Sequence, residues 1–390
     1  MKLKVSLFYK FIYTLILILF SFISLKKYEK SKIKLTKQMY NLIKKINNFI
    51  YICTKGILIE DIKLSYENPK ISAIITLFNS EKTIKTAIRS IQNQNEKDIE
   101  IIIIEDCSND NSLREIEKLK KEDSRIKIIK NKKNRGALFS KSIGALNSIG
   151  KYIFFLDSDD LFINKNLFEI CYNHSEKGID IIEFSGFASE QKYLKTNKIP
   201  IVPLYLRFKQ NNELILQPRL SKFIYQKNGN KIIRLIDGFL CGKCIKSKIY
   251  KKTLRSIGNL IFKKKVNYGE DRIVNFALFK TAHSFKFILE YGLIYYYKNP
   301  SSITNKLHYV EKCHDELINI MSLFNFSKKS YEIDVVLYEI DFRWKWLIEP
   351  GLNEKNKKFL INLLTQILKC HYINYEDKNK IKSYLALIKI

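Results

Sequence analysis

The 390-residue chain has no glycine-rich phosphate cradle: neither G-x-G-x-x-G nor G-x-x-x-x-G-K-[ST] occurs, and glycine contributes 13 residues in all. A dinucleotide-binding fold or a P-loop would need one of these turns to bring backbone N–H groups onto phosphate, so both are excluded. Zinc is equally poorly served. Cys241-Gly-Lys-Cys244 is a lone CxxC without a second Cys or His pair at zinc spacing, and reads as two buried thiols, with a metal or redox role as the alternative. Seven cysteines scattered along the chain, an odd number, give no disulfide framework. There is no RNP-type aromatic motif and no basic helix long enough to track a duplex, so nucleic acid is not an expected partner.

Acidic residues are also scarce. Lys and Arg number 69 against 39 Asp and Glu, a net charge of +30. The excess is mostly lysine spread along the chain, which reads as surface filler; attraction to anions such as acidic head groups or a phosphorylated substrate is the sharper alternative. Long apolar runs are limited to one. FIYTLILILFSFISL, from Phe11 to Leu25, is uncharged, with Lys2, Lys4 and Lys10 before it and KKYEKSKIK after it. With Val5–Tyr9 added and Lys10 snorkelling, it approaches the ~20 residues a bilayer requires. Phe22 stands where a cleaved signal peptide wants a small residue, so an uncleaved anchor is expected over a signal peptide or a buried core helix. Lys26, Lys27, Lys30, Lys32, Lys34 and Lys37 outweigh the three lysines ahead of the run and favour a cytosol-facing domain. Sequons at Asn173 and Asn325 leave a secretory lumen open.

What is present begins after a basic stalk at 26–69. ISAIITL (71–77), IEIIII (99–104), RIKIIK (125–130) and YIFFL (152–156) are apolar runs of strand length. Between them, Ile84, Ala87, Ile88 and Ile91 recur at helical spacing, Ser112 and Glu115 form a capping box, and Leu138, Ile143, Leu146 and Ile149 line another helix. Four such units predict an α/β fold: an open, mostly parallel sheet with helices on both faces. Ligands of these sheets bind at the carboxyl ends of the strands. There the chain places Phe78-Asn79, Glu105-Asp106, Asn134-Arg135-Gly136 and Asp157-Ser158-Asp159-Asp160. Carboxylates at a strand end suit a divalent cation, which in turn accepts a diphosphate.

These stretches resemble family 2 glycosyltransferases of GT-A, Rossmann-like fold, closely over about residues 70–165. IITLFNSEKTIKTAIRSIQNQ resembles the family's opening strand and helix, with Thr76 and Phe78 where Pro and Tyr are usual. EIIIIEDCSNDNS resembles the Asp-Asp-Gly-Ser turn, with Glu105 for the first acid and Cys107 for the glycine. NRGALFSKSIGALNSIGKYIFFLDSDD resembles the run ending in Asp-x-Asp, with Ser140-Lys141-Ser142 in place of Ala-Arg-Asn. Further on, VNYGEDRIVNFALF resembles the Glu-Asp pair at a helix start, and YYYKNPSSIT the strand and loop that follow.

The resemblance implies a metal-dependent, inverting transferase moving one sugar from a nucleotide sugar, UDP-sugar favoured, to an acceptor hydroxyl on a glycan, glycoprotein or lipid-linked molecule. It implies Phe78 and Asn79 around the nucleotide, Asp106 on uracil, Lys141 as a nearby positive charge and Asp157 at the ribose. Asp159, with Asp157, would hold Mn²⁺ or Mg²⁺, and Asp271, with Glu270 as its neighbour, would be the base. Helix capping is the competing reading for Asp160 and Asp271, and capping or surface placement the expected one for Glu105 and Asp110. A catalytically inactive GT-A domain serving as a carbohydrate-binding or scaffold module is the alternative function. Typical anchored relatives lie in the secretory pathway, ER or Golgi, against the charge pattern. The expected division is an anchor with its flank at 1–25, the stalk, a nucleotide-sugar half at 70–165, an acceptor half at 166–307 and a helical region at 308–390. In the last, Phe342-Arg343-Trp344 resembles a processive-synthase motif, but Ile340 replaces its glutamine, and core packing is expected.

Overall fold

The computed structural model describes residues 69–189, four short strands between 201 and 234, and 240–389 with short breaks at 264, 297–298, 300–307, 328–329, 349–352, 372 and 374. The anchor and all but the last residue of the stalk lie outside the described residues. Among those described, no helix is long and apolar enough to cross a membrane.

The apolar runs become strands. They are β1 (Ile71–Leu77), β2 (Ile99–Glu105), β3 (Ile126–Lys130) and β4 (Tyr152–Asp157), followed by β5 (Leu161–Phe162) and β6 (Ile181–Ser189). Four short strands follow, β7 (Ile201–Leu204), β8 (Leu214–Leu216), β9 (Tyr225–Asn228) and β10 (Lys231–Arg234), then β11 (Lys243–Lys246) and β12 (Ser284–Tyr296). The main sheet has the order β3-β2-β1-β4-β11-β6-β12-β5, with β7 on β6 and β8 on β12. Strands β1 to β4 are mutually parallel, β11 runs against β4 and β6, and β12 is again parallel to β6. The sheet is thus mixed but mostly parallel, as expected, with β11 reversed between β4 and β6.

The register decides where the site lies. Thr76 of β1 stands opposite Asp157 of β4, and Leu77 opposite Glu105 of β2, so three strands end level with one another. Below, the two strands are nailed together: the Ser72 hydroxyl donates to Glu100 at 2.6 Å and accepts from the Gly150 N–H at 2.8 Å.

Helices α1 (Ile84–Gln92), α2 (Ser112–Glu122), α3 (Ala137–Asn147) and α4 (Leu167–Ser175) alternate with the strands, and α5 (Ser247–Lys263) and α6 (Glu270–Thr281) follow β11. The C-terminal region is helical as expected: α7 (Tyr309–Phe326), α8 (Ser330–Ile348), α9 (Glu354–Leu368) and α10 (Tyr375–Lys389). In α8, Arg343 is buried in ion pairs, and Trp344 stacks on Tyr384 of α10 with centroids 3.7 Å apart, so this segment is packing.

Three local expectations change. Ser112 does not cap α2: it is the first helical residue, the cap position is Asn111, and the Ser112 N–H is taken by Asp110 at 2.9 Å. Asp160 precedes a strand, not a helix, and cannot be a helix cap. The buried face of α3 is Leu138, Ser140, Lys141, Ser142, Gly144 and Ala145, whereas Ile143 and Leu146 are only partly covered and Ile149 lies beyond the helix. A Cβ at Gly144 would sit 2.4 Å from Ile74 Cγ2; its absence lets α3 press this small-residue face onto the sheet.

Candidate active site

At the end of β1 the chain turns through Phe78, half-buried, and Asn79, which holds φ of 49°. Asparagine tolerates this left-handed region better than most residues. Its N–H donates to Ser108 at 3.1 Å and its side-chain oxygen accepts from the Asn109 N–H at 2.8 Å, stitching the turns after β1 and β2 together. Cys107 keeps φ of 65° in the place where the family pattern has glycine, so the turn survives the substitution.

Asp106 is buried. Its Oδ1 accepts from Asn131 Nδ2 at 2.7 Å and from the Arg135 N–H at 2.8 Å, and Oδ2 accepts from the Gly136 N–H at 2.8 Å. Burial nonetheless pushes its carboxyl above the ordinary value. Asp106 thus organises the turn leading into α3, and only Oδ2 keeps a vacant acceptor direction.

One turn into α3, the buried ammonium of Lys141 lies 3.3 Å from Asp157 Oδ1, 3.1 Å from Asp271 Oδ1 and 3.5 Å from Glu270 Oε1. Burial weakens its hold on the proton, but Asp157, Asp271 and Glu270 outweigh that and keep the group well above its ordinary value. Asp157 also accepts from Thr76 Oγ1 at 3.2 Å and from the Cys241 thiol at 3.6 Å. Asp159 accepts from Asn299 Nδ2 at 2.7 Å, and burial together with the charge of Asp157 pushes its carboxyl up to about 6. Asp160, buried, accepts from the Tyr296 N–H at 3.1 Å and is pushed well up by burial and by Asp159.

Helix α6 begins at Glu270, with Gly269 at φ of 70° as its cap. Capping is therefore not the work of Asp271. Its Oδ1 faces Lys141, and its Oδ2 accepts from the Leu240 N–H at 3.0 Å. Burial, with the charge of Asp271, pushes the Glu270 carboxyl up to about 7, in the range useful for proton transfer at neutral pH.

Lys141, Asp157, Glu270 and Asp271, up to 130 positions apart, thus meet at one point. Asn79 and Asp106 bond to neighbouring turns instead. Among the described residues, Asp157, Asp160 and Cys241 bring three potential ligand atoms within 4.8 Å of one another, beside Asp159. The Cys241 thiol is pushed well up by burial and by Asp157, and so stays protonated as a donor to that carboxylate. A hard cation takes oxygen ligands, and crowded carboxylates that raise one another's proton affinity fit such an ion. Sequence reasoning missed Asn299 and Tyr250, whose buried hydroxyl has no hydrogen-bond partner among the described residues and whose acidity burial and Asp271 suppress, and it read Cys241 mainly as a buried thiol, with a metal or redox role as the alternative. Only Cys241 left a sequence trace, in the CxxC.

The profile described as "Glycosyl transferase family 2" matches residues 72–243, which contain Phe78, Asn79, Asp106, Lys141, Asp157 and Asp159, while Glu270 and Asp271 lie beyond it. Residues 72–243 thus form a glycosyl transferase family 2 domain. It is 28% identical to the uncharacterized glycosyltransferase EpsJ of Bacillus subtilis over 60% of this chain and 63% of that protein, so it spans less than two thirds of that relative. It is 27% identical to the cholesterol galactosyltransferase of Borreliella burgdorferi over 79% of this chain and 85% of that one. Among solved structures, S. aureus TarS 1-349 in complex with UDP-GlcNAc superimposes with a TM-score of 0.56 at 15% identity, covering 77% of this chain and 81% of that one. That likeness speaks for a shared GT-A-like fold.

Proposed function

We propose that the protein is a divalent-cation-dependent glycosyltransferase that moves one sugar from a nucleotide sugar, a UDP-sugar by preference, to an acceptor hydroxyl with inversion. The observation that carries this reading is the convergence on Lys141 of Asp157, from the Asp-x-Asp turn, and of Glu270 and Asp271, from the acceptor half. Inverting transfer needs a donor site and a base on opposite sides of one sugar carbon, and the carboxylates around Lys141 would supply both, Asp157 for the donor side and Glu270 or Asp271 for the base. Asp271, oriented by Lys141 and the Leu240 N–H, is the proposed base that takes the acceptor's proton; Glu270 is the alternative. Asp157 and Asp159, joined by Asp160, would hold the cation, Mn²⁺ or Mg²⁺, whose charge stabilises the departing nucleoside diphosphate. Phe78 and Asn79 would line the nucleotide, with the vacant direction of Asp106 Oδ2 turned to the uracil imide.

Support for UDP comes from the TarS complex, and support for a lipid acceptor from the cholesterol-glycosylating relative. The apolar run at 11–25 is consistent with an enzyme held at a membrane, facing cytosol or lumen. Calorimetry tests the donor assignment: Mn²⁺-dependent UDP binding is expected for the wild-type protein and its loss for Asp159→Ala. Unchanged affinity in that variant overturns it.

A further inference from the structure

The turn ahead of α6 makes its polar contacts with the C-terminal helix α7. Asp315 Oδ2 accepts the N–H groups of Asn267 at 2.9 Å and Tyr268 at 3.1 Å. Asn319 Nδ2 donates to the Tyr268 carbonyl at 2.8 Å. Arg272 Nε donates to the Gly269 carbonyl at 3.3 Å while its guanidinium pairs with Glu316. Glu316 is gripped a second time by Arg343 Nε of α8 at 3.2 Å, and Arg343 pairs with Glu339. Asp315, Glu316, Asn319, Glu339 and Arg343 are all buried.

This is more polar bonding than docking a helix requires. Apolar packing alone would hold α7, as Leu317, Ile320 and Leu323 on it are buried in the core. Buried ion pairs contribute little net stability, because desolvation offsets their attraction, and their best-attested use is to fix one geometry. The geometry fixed here is that of residues 267–269, immediately ahead of Glu270 and Asp271. A Cβ at Gly269 would lie 2.0 Å from the Arg272 guanidinium and 2.9 Å from Asn319 Nδ2, so the clasp closes directly on the helix cap.

We propose that Asp315, with Asn319 and the Arg272–Glu316 pair, is a positioning element that holds the proposed base carboxylates in register with the donor site. The C-terminal helices thereby become part of the acceptor-side machinery. The inference rests on the reading of Glu270 and Asp271 given above. On this reading the clasp acts through residues 267–269, and its effect is confined to turnover.

The test uses the full-length chain with UDP-glucose, UDP-galactose and UDP-N-acetylglucosamine, water serving as acceptor, and rates expressed per UDP-binding site. Asp315→Ala is expected to lower kcat about tenfold to a hundredfold, as small misplacements of a catalytic group do, with KM unchanged. Asp315→Asn, which keeps an acceptor oxygen, recovers most of the loss. In an Asp271→Asn background, Asp315→Ala adds no further loss. If Asp315→Ala keeps wild-type kcat per binding site, or its loss adds in full to that of Asp271→Asn, the positioning role is overturned. If Asp271→Asn and Glu270→Gln are each fully active, the base assignment fails instead. Hydrogen exchange reads the same question without turnover: in Asp315→Ala, the amides of 267–271 exchange at least tenfold faster while those of β1 to β4 do not change. Unchanged exchange at 270–271 overturns the proposal.

Discussion

Lys141 is one ammonium among three carboxylates, and its chemistry differs from that of the arginine its position resembles. A guanidinium would offer a planar fork able to grip two partners at fixed angles, whereas an ammonium is a compact charge with three rotatable donors. With Asp157, Asp271 and Glu270 all within 3.5 Å, the cluster of one cation and three acids keeps Asp271 oriented and leaves Glu270 holding its proton up to about 7. If Asp271 is the base, Asp271→Asn retains Mn²⁺-UDP affinity and loses roughly 10²–10⁴-fold in turnover, the range for a missing general base. Glu270→Gln then loses less. The reverse order of losses in steady-state assays reassigns the base to Glu270, and two active variants reduce the pair to structural acids. Asp271 was legible in the sequence as an acid at a helix start; that it leaves the capping to Gly269 was not, because a glycine cap has no side chain to announce it.

Elements differ in how much of themselves they display. Strands β1, β2 and β4 are buried along nearly their whole length, so an unbroken apolar run was sufficient to find them, and α1 buries the four residues its periodicity marked. Helix α3 reads wrongly from its apolar positions because two contacts outrank hydrophobicity there. Lys141 is drawn inward by acids from distant segments, and Gly144 permits an approach to Ile74 and Ile104 that a larger residue would block. Neither contact has a local sequence pattern. The clasp by α7 was hidden for the same reason, since no local pattern marks Asp315 and Glu316 as acids that the fold buries. Gly144→Val is expected to lose about 1–3 kcal/mol from overpacking, read as a lowered denaturation midpoint. It should also weaken transfer more than UDP binding, because it lifts Lys141 away from Asp271. A midpoint equal to wild type would show that α3 has slack against the sheet.

Across the whole molecule, the sheet gathers acids at one edge of a protein that is otherwise strongly basic, and this opposition sets its pH response. Asp159 is raised to about 6 by burial and Asp157, and Glu270 to about 7 by burial and Asp271. The unfolded chain releases both protons near pH 4, the ordinary carboxylate range. The folded protein therefore binds more protons between those values. The resulting stabilisation is complete below the unfolded range and is lost as pH rises through 6 and then 7. The net charge of +30 acts in the opposite sense, since self-repulsion relaxes as pH rises, so a bare comparison of two pH values would mix the effects. The Asp159→Asn, Glu270→Gln double variant separates them, because it keeps the surface lysines and removes both raised carboxyls. In metal-free buffer the wild-type melting temperature, measured relative to this variant, is expected to fall by a few degrees between pH 5 and pH 8. Adding Mn²⁺ should restore the difference at pH 8 and do little at pH 5, where protonated carboxyls offer the ion fewer ligands. A wild-type protein that tracks the double variant at both pH values, with and without Mn²⁺, would mean that the acids at this strand end neither strain the fold nor hold a cation.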